Sequence, residues 1–157
     1  MKRIIPAMLL AVALTFSGCA SMNSGTLTHK VTASQHGFLS VITGFQDAEI
    51  SEHDKGAAFI SDDTHIRIQT IIQKAALGGK DLDVAVAAGA NSTTIKTKID
   101  AIYALLTSLE TDGLTGVKNA SSKAILEIAL NQIKSVLDLA LTQIAQEATP
   151  WQPQVSL

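Results

Sequence analysis

Residues 122–148, SKAILEIALNQIKSVLDLALTQIAQEA, carry a pattern that decides the fold class of the chain. Apolar residues recur in this segment at steps of three and four, which is the spacing of one face of an α-helix. Pro150 follows the segment and cannot continue a helix. We therefore predict a helix that begins between Leu114 and Ser122 and ends near Ala148. Its predicted apolar face comprises Ile125, Ile128, Ala129, Ile133, Val136, Leu137, Ala140 and Ile144.

Three earlier segments show the same periodicity. The first covers about residues 27–50, and Glu49 places a charge on its stripe, which we take as the end of the apolar face; residues 51–59 are predicted to be a loop. The second begins at Ser61, a capping serine followed by two acids. The third covers about 93–111, after a turn at 89–91 and a cap at Ser92 or Thr93. We expect Asp112-Gly113 to end it, with the glycine in the left-handed conformation.

Gly78-Gly79 leaves two alternatives for the second helix. The apolar spacing continues across the pair and favours a helix that runs to about Ala88. Each glycine in a helix interior costs about 1 kcal/mol relative to alanine, which favours a break. We expect a break or a kink at the pair.

Four amphipathic segments joined by short connections predict an all-α fold. We assign residues 27–149 to an antiparallel bundle of about four helices. No strand-like alternation competes, because the best candidate, VAVAA at 84–88, is rich in alanine. Because none of these segments is apolar on every face, we expect none of them to cross a membrane.

The first 18 residues have the order of an export signal. Lys2 and Arg3 precede an apolar stretch of 13 residues, Ile4–Phe16, which is shorter than the roughly 20 residues of a membrane span. Small residues then lead to Cys19, the one cysteine of the chain. Charge, a short apolar core and small residues in this order predict a signal peptide over residues 1–18.

The stretch Phe16-Ser17-Gly18-Cys19 resembles the lipobox of bacterial lipoproteins, with Phe16 in place of the usual leucine. The resemblance implies a diacylglyceryl group on the thiol of Cys19, cleavage before Cys19 and acylation of the new amine. In such lipoproteins, an aspartate directly after the cysteine retains the protein in the inner membrane. This chain has Ala20 and Ser21 there instead. The resemblance therefore implies the periplasmic face of the outer membrane, or the outer face of the plasma membrane in a host with one membrane.

Residues 19–26 are then a short lipidated tether before the bundle. Without Lys2 and Arg3, ten basic and 14 acidic side chains remain, a formal charge of −4. No basic run is present, so we expect no nucleic-acid partner. The acylated Cys19 leaves no thiol for a disulfide, so packing must hold the fold.

The four histidines, at 29, 36, 53 and 65, are the candidate metal ligands. Glu49 and His53 are four residues apart, and Asp62 and His65 are three apart, which are spacings at which an imidazole and a carboxylate can bind a transition metal. Bundles that hold paired metal ions need a Glu-x-x-His on each of two helices, and this chain has none. We therefore expect solvated surface histidines and assign no metal and no cofactor.

Motifs of catalysis are absent from the sequence. There is no nucleophile elbow, P-loop, zinc-protease helix or dinucleotide-binding glycine pattern. The acids at 62, 63, 81 and 83 fit helix caps and solvent-facing positions. Asn91 and Asn119 begin glycosylation-like triplets, but each precedes a predicted helix and is expected to cap it. We therefore expect no enzymatic activity and no catalytic residue.

These observations predict a membrane-anchored, non-catalytic envelope lipoprotein that acts as a protein-interaction or structural module. Its expected partners are membrane lipid, through acylated Cys19, and an envelope protein or a second copy of itself. The alternative is a metal- or small-ligand-binding bundle in the periplasm. Phe45–Glu49 resembles a segment of small helical phage and mobile-element proteins of unknown function. Residues 150–157, with Trp151 between two prolines, are expected to form a flexible tail or a docking peptide.

Overall fold

A computed structural model describes residues 27–148 of the chain. Four α-helices occupy most of this range: α1 (Leu27–His53), α2 (Asp62–Ala87), α3 (Ser92–Ser108) and α4 (Ala120–Ala148). A π-helical turn, Leu109–Gly113, and a 3₁₀ turn, Leu114–Gly116, join α3 to α4. The expectations for the signal peptide, the tether, Cys19 and the tail with Trp151 concern residues that lie outside the described range.

The predicted all-α antiparallel bundle of four helices is confirmed. Helices α1 and α3 each pack against both α2 and α4, so the four helices occupy the corners of one bundle. No strand occurs between residues 27 and 148, and none of the helices there is long and apolar enough to cross a membrane. The core is mainly aliphatic, and its largest fully buried side chains are Phe38, Ile42, Phe45, Ile60, Ile68, Ile72, Ile99, Ile102, Leu106, Leu109, Leu114 and Leu126.

The antiparallel order gives the bundle two distinct ends. Val31 near the start of α1, Leu82 near the end of α2 and Ala140 near the end of α4 line the same small internal cavity. We call this the terminal end, because α1 and α3 begin there and α2 and α4 end there. At the opposite end, which we call the hairpin end, α1 turns into α2 and the π and 3₁₀ turns lead into α4.

Helix α1 is longer than predicted. It continues through residues 51–53, which were expected to be loop, and ends at His53. Glu49 does not mark the end of the buried face, because its side chain is completely buried and Glu52 one turn later is buried too. The buried face of α1 therefore extends from Val31 to Glu52 and changes from apolar to acidic near the hairpin end.

Helix α2 begins as predicted, since the Ser61 side chain accepts a hydrogen bond from the Thr64 backbone N–H. The expected break at Gly78-Gly79 is wrong: α2 runs without interruption to Ala87. The reason is packing against α1. A Cβ at Gly79 would lie 2.7 Å from Cε1 of Phe38, so only glycine allows the Phe38 ring to pack this close to α2.

Helix α3 begins one residue earlier than predicted, and its cap is Asn91, whose Oδ1 accepts from the Thr94 N–H at 2.9 Å. Gly113 does not adopt the left-handed conformation, because its φ is −71°. The chain instead continues in right-handed turns from Leu109 to Gly116. Leu109 and Leu114, in these turns, are both fully buried.

Helix α4 lies within the predicted bounds, and Asn119 caps it by accepting from the N–H groups of Ser121 and Ser122 at 3.0 Å. The predicted apolar face is wrong at its N-terminal part. Ile125 and Ile128 are exposed, and Leu126 and Leu130, which were not on the predicted face, are buried instead. From Ile133 onward the predicted and observed faces agree, except that Val136 is half-buried.

Candidate functional site

A fully buried carboxylate joins α1 to α2 near the hairpin end. Glu49 has no exposed side-chain area. Its carboxylate accepts hydrogen bonds from Nδ1 of His65 at 2.9 Å and from Nε2 of Gln69 at 2.6 Å. An ionised carboxylate only accepts hydrogen bonds, so Nδ1 of His65 is the donor. Two residues of α2 thus satisfy one acid of α1, as a buried charge requires.

A second imidazole lies on the first. The rings of His53 and His65 stack with their centroids 4.1 Å apart and an angle of 20° between their planes. Nε2 of His53 lies 3.0 Å from Oδ1 of Asp62, so each imidazole has its own carboxylate. We define Glu49, His53, Asp62, His65 and Gln69 as the imidazole cluster.

The local sequence places these residues on facing surfaces of two helices. Glu49 and His53 are one turn apart near the end of α1, while Asp62 and His65 lie in the first turn of α2. The sequence brought together the correct residues but in the wrong combinations. The observed pairs are Glu49 with His65 and His53 with Asp62, each across the α1–α2 hairpin rather than along one helix.

A second buried acid was missed by the sequence analysis. Oε2 of Glu52, on α1, accepts from Oγ of Ser122, a fully buried residue of α4, at 2.6 Å. The Glu52 carboxylate also pairs with the Nζ of Lys55. A signal for this burial was available, because Phe45, Glu49 and Glu52 follow the four- and three-residue steps of the α1 stripe. Near the hairpin end, buried acids of α1 thus bond to both neighbouring helices, Glu49 to α2 and Glu52 to α4.

An open depression borders the imidazole cluster. It is lined by Ile50, His53, Asp54, His65, Ile66, Gln69, Thr70 and Gln73. The imidazoles form one part of this surface, and the exposed side chains of Ile50 and Ile66 supply apolar area beside them. The depression is open to solvent, so it presents a mixed polar and apolar surface rather than an enclosed cavity.

The four histidines differ in their surroundings. His36 is exposed, as predicted, whereas His53 and His65 are not solvated surface residues, because only about a quarter of each side chain is exposed. The side chain of His29 lies outside the described part. Among the described residues, no group of three or more His, Cys, Asp or Glu side chains is placed to hold a metal ion. The carboxylates nearest the imidazoles are engaged by them.

The candidate site is therefore a hydrogen-bonded clamp between α1 and α2 with an open surface beside it. Its chemistry consists of two imidazoles whose orientation is fixed by carboxylates. Comparison of the chain with protein-family models, with curated proteins and with solved structures found no match.

Proposed function

We propose that the chain is a membrane-anchored, non-catalytic envelope lipoprotein that acts as a protein-interaction or structural module. The observation that carries the proposal is the position of Cys19. The one cysteine of the sequence follows a charged and apolar leader and small residues, and it precedes the first helix by only eight positions. The proposed location is the periplasmic face of the outer membrane.

The physical role of the acylated cysteine is confinement. A single acyl chain binds a membrane only marginally, at about 0.8 kcal/mol per buried methylene, whereas two or more chains anchor a protein stably. A triacylated Cys19 keeps the bundle on one surface and raises its effective concentration toward any partner on that surface. Assembly on that surface then needs a weaker contact than assembly in free solution.

Exposed apolar side chains support a role in protein contact. On α2, Ile66 and Leu77 are about three-fifths exposed, and on α4, Ile128 is similarly exposed. Helices α2 and α4 occupy opposite corners of the bundle, because each packs against α1 and α3. The exposed residues therefore belong to two separate surfaces, which suits contact with an envelope protein or a second copy of the chain.

The proposal includes no catalytic role because three acids near the hairpin end are bonded to other side chains of the bundle. Glu49 and Glu52 are bound by side chains of neighbouring helices, and Asp62 is bound by His53. These bonds connect helices to each other, which is the arrangement expected of a structural clamp.

Mass spectrometry of the protein isolated from its natural host tests the proposal. We expect a mature chain that begins at Cys19 and carries diacylglyceryl and acyl groups. A Cys19→Ser variant from the same host is the control, because it lacks the sulfur that the lipid requires. An intact leader or a free thiol at Cys19 in the natural protein would contradict the proposal.

A second candidate function, metal or small-ligand binding, is favoured by the orientation of His65. Nδ1 of His65 is engaged by Glu49, so Nε2 is the ring nitrogen that remains for a ligand. Histidine ligands of metals are commonly held in this way by a carboxylate. Both imidazoles line the open depression, and Nε2 of His65 is the nitrogen left there for a transition-metal ion, since Nε2 of His53 is bound to Asp62.

Calorimetric titration with Zn²⁺ tests this second candidate. If it is right, the wild-type protein and a His36→Ala variant bind Zn²⁺, while His65→Ala does not. His36 is the matched control because it is an exposed histidine of α1 outside the cluster. Circular dichroism first establishes that each variant is helical at the titration temperature. Lack of Zn²⁺ binding by the wild-type protein would rule out this metal-binding function.

A further inference from the structure

Three uncharged stretches of sequence adjoin helix ends that lie at the terminal end of the bundle. Residues 20–28, 84–95 and 148–157 contain no Asp, Glu, Lys or Arg. The first leads into α1, the second joins α2 to α3, and the third follows from the end of α4. The described segment 84–95 is bordered by Asp83 and Lys96 but is itself uncharged, whereas the connections at the hairpin end carry Asp54, Lys55, Glu110 and Asp112.

The tether of the proposed lipoprotein brings the terminal end close to the membrane. The seven residues between Cys19 and Leu27 span at most about 25 Å, at about 3.3–3.6 Å per residue. Helix α1 has 27 residues, which at 1.5 Å per residue is about 40 Å. Because α1 begins at the terminal end, the tether is too short to let the bundle stand on its hairpin end.

The α2–α3 turn presents small and apolar side chains at the terminal end. Val84 is 70% exposed, and Ala87 and Ala88 are exposed as well. Removing apolar atoms from water lowers the free energy, whereas a charged side chain loses favourable hydration near hydrocarbon. The α2–α3 turn can therefore approach a lipid surface with less loss of hydration than the charged connections at the hairpin end.

We infer that the α2–α3 turn, residues 84–90, is a membrane-contact surface that rests on the phospholipid headgroup region in the anchored protein. This inference rests on the proposed lipoprotein function and adds the orientation of the bundle to it. The bundle stands upright, and the imidazole cluster is held at the far end, about one helix length from the membrane. The hairpin end is thereby the part of the protein that a partner in the periplasm meets first.

Two fluorescent labels on α2 test the orientation. Val84→Cys and Ile66→Cys are each labelled in the acylated protein, which is reconstituted in phosphatidylethanolamine and phosphatidylglycerol vesicles that contain a headgroup nitroxide quencher. Both positions are exposed on α2, and they are about 27 Å apart along the helix. We expect the label at position 84 to be quenched several-fold more strongly than the label at position 66.

The outcomes separate the two proposals. Equal quenching at both positions, in protein that floats with the vesicles, overturns the upright orientation and leaves the lipid anchor intact. Strong quenching at both positions would mean that α2 lies along the membrane. Weak quenching at both would mean that the α2–α3 turn does not touch the membrane. Acylated protein that fails to float with the vesicles overturns the anchor and, with it, the orientation.

Discussion

Replacing His65 by alanine is expected to lower the free energy of unfolding by about 3 kcal/mol, at the low end of the range measured when one partner of a buried pair is removed. The variant leaves the fully buried carboxylate of Glu49 with Gln69 as its remaining side-chain partner. A buried carboxylate without its partner either stays charged at high cost or takes up a proton. We choose the low end of the range because the imidazole is about a quarter exposed.

Urea denaturation followed by circular dichroism at neutral pH measures this loss. His36→Ala is the matched control, since it removes an exposed imidazole from α1 and should change stability by no more than about 0.5 kcal/mol. A His65→Ala variant no less stable than His36→Ala would mean that the bond to Glu49 contributes nothing to the fold.

The double variant Glu49→Leu/His65→Ala identifies the cause of the loss. Leucine has a volume close to that of glutamate and needs no hydrogen bond, and apolar replacements of buried pairs are often neutral. We expect the double variant to recover most of the stability lost in His65→Ala. If the two changes instead add, the cost of His65→Ala comes from lost packing and not from an unpaired buried acid.

The helices of this protein could be predicted from sequence because their signals are local. Apolar spacing indicated all four segments, and Ser61 was recognised as the cap of α2 from its own short segment. Errors arose where packing against a neighbouring helix determines which residues are buried. Ile125 and Ile128 have the spacing of a buried face, yet α4 is turned so that Leu126 and Leu130 point inward. A wide apolar stripe does not show which of its residues the neighbouring helices will bury.

At the candidate site, too, the contacts depend on how neighbouring helices pack, and the sequence does not show this. Sequence spacing paired Glu49 with His53 and Asp62 with His65 as candidate metal ligands. It could not show that each acid would bond to the histidine of the other helix, because that depends on how the two helices align across the hairpin. Glu52 was missed for the same reason, since its partner Ser122 is 70 residues away.

Gly79→Ala is expected to destabilise the protein by about 1–2 kcal/mol, although alanine is the better helix former. In an unobstructed helix, this change would stabilise by about 0.5–1 kcal/mol. At position 79 the new Cβ would lie 2.7 Å from Cε1 and 3.0 Å from Cδ1 of Phe38, and 3.3 Å from Cδ2 of Leu39. The Phe38 ring is fully buried, so it cannot move aside without disturbing the core. Overpacking of this kind costs about 1–3 kcal/mol and outweighs the gain in propensity.

Gly44→Ala provides the opposite expectation in the same protein and separates propensity from packing. Gly44 lies inside α1, and a Cβ there meets no heavy atom within 4 Å. Only the backbone effect remains, so we expect a stabilisation of about 0.5–1 kcal/mol. Thermal and urea unfolding of the two variants should therefore shift in opposite directions. If Gly79→Ala also stabilises, Phe38 does not pack against α2 at this point, and the continuity of α2 through Gly78-Gly79 loses its explanation.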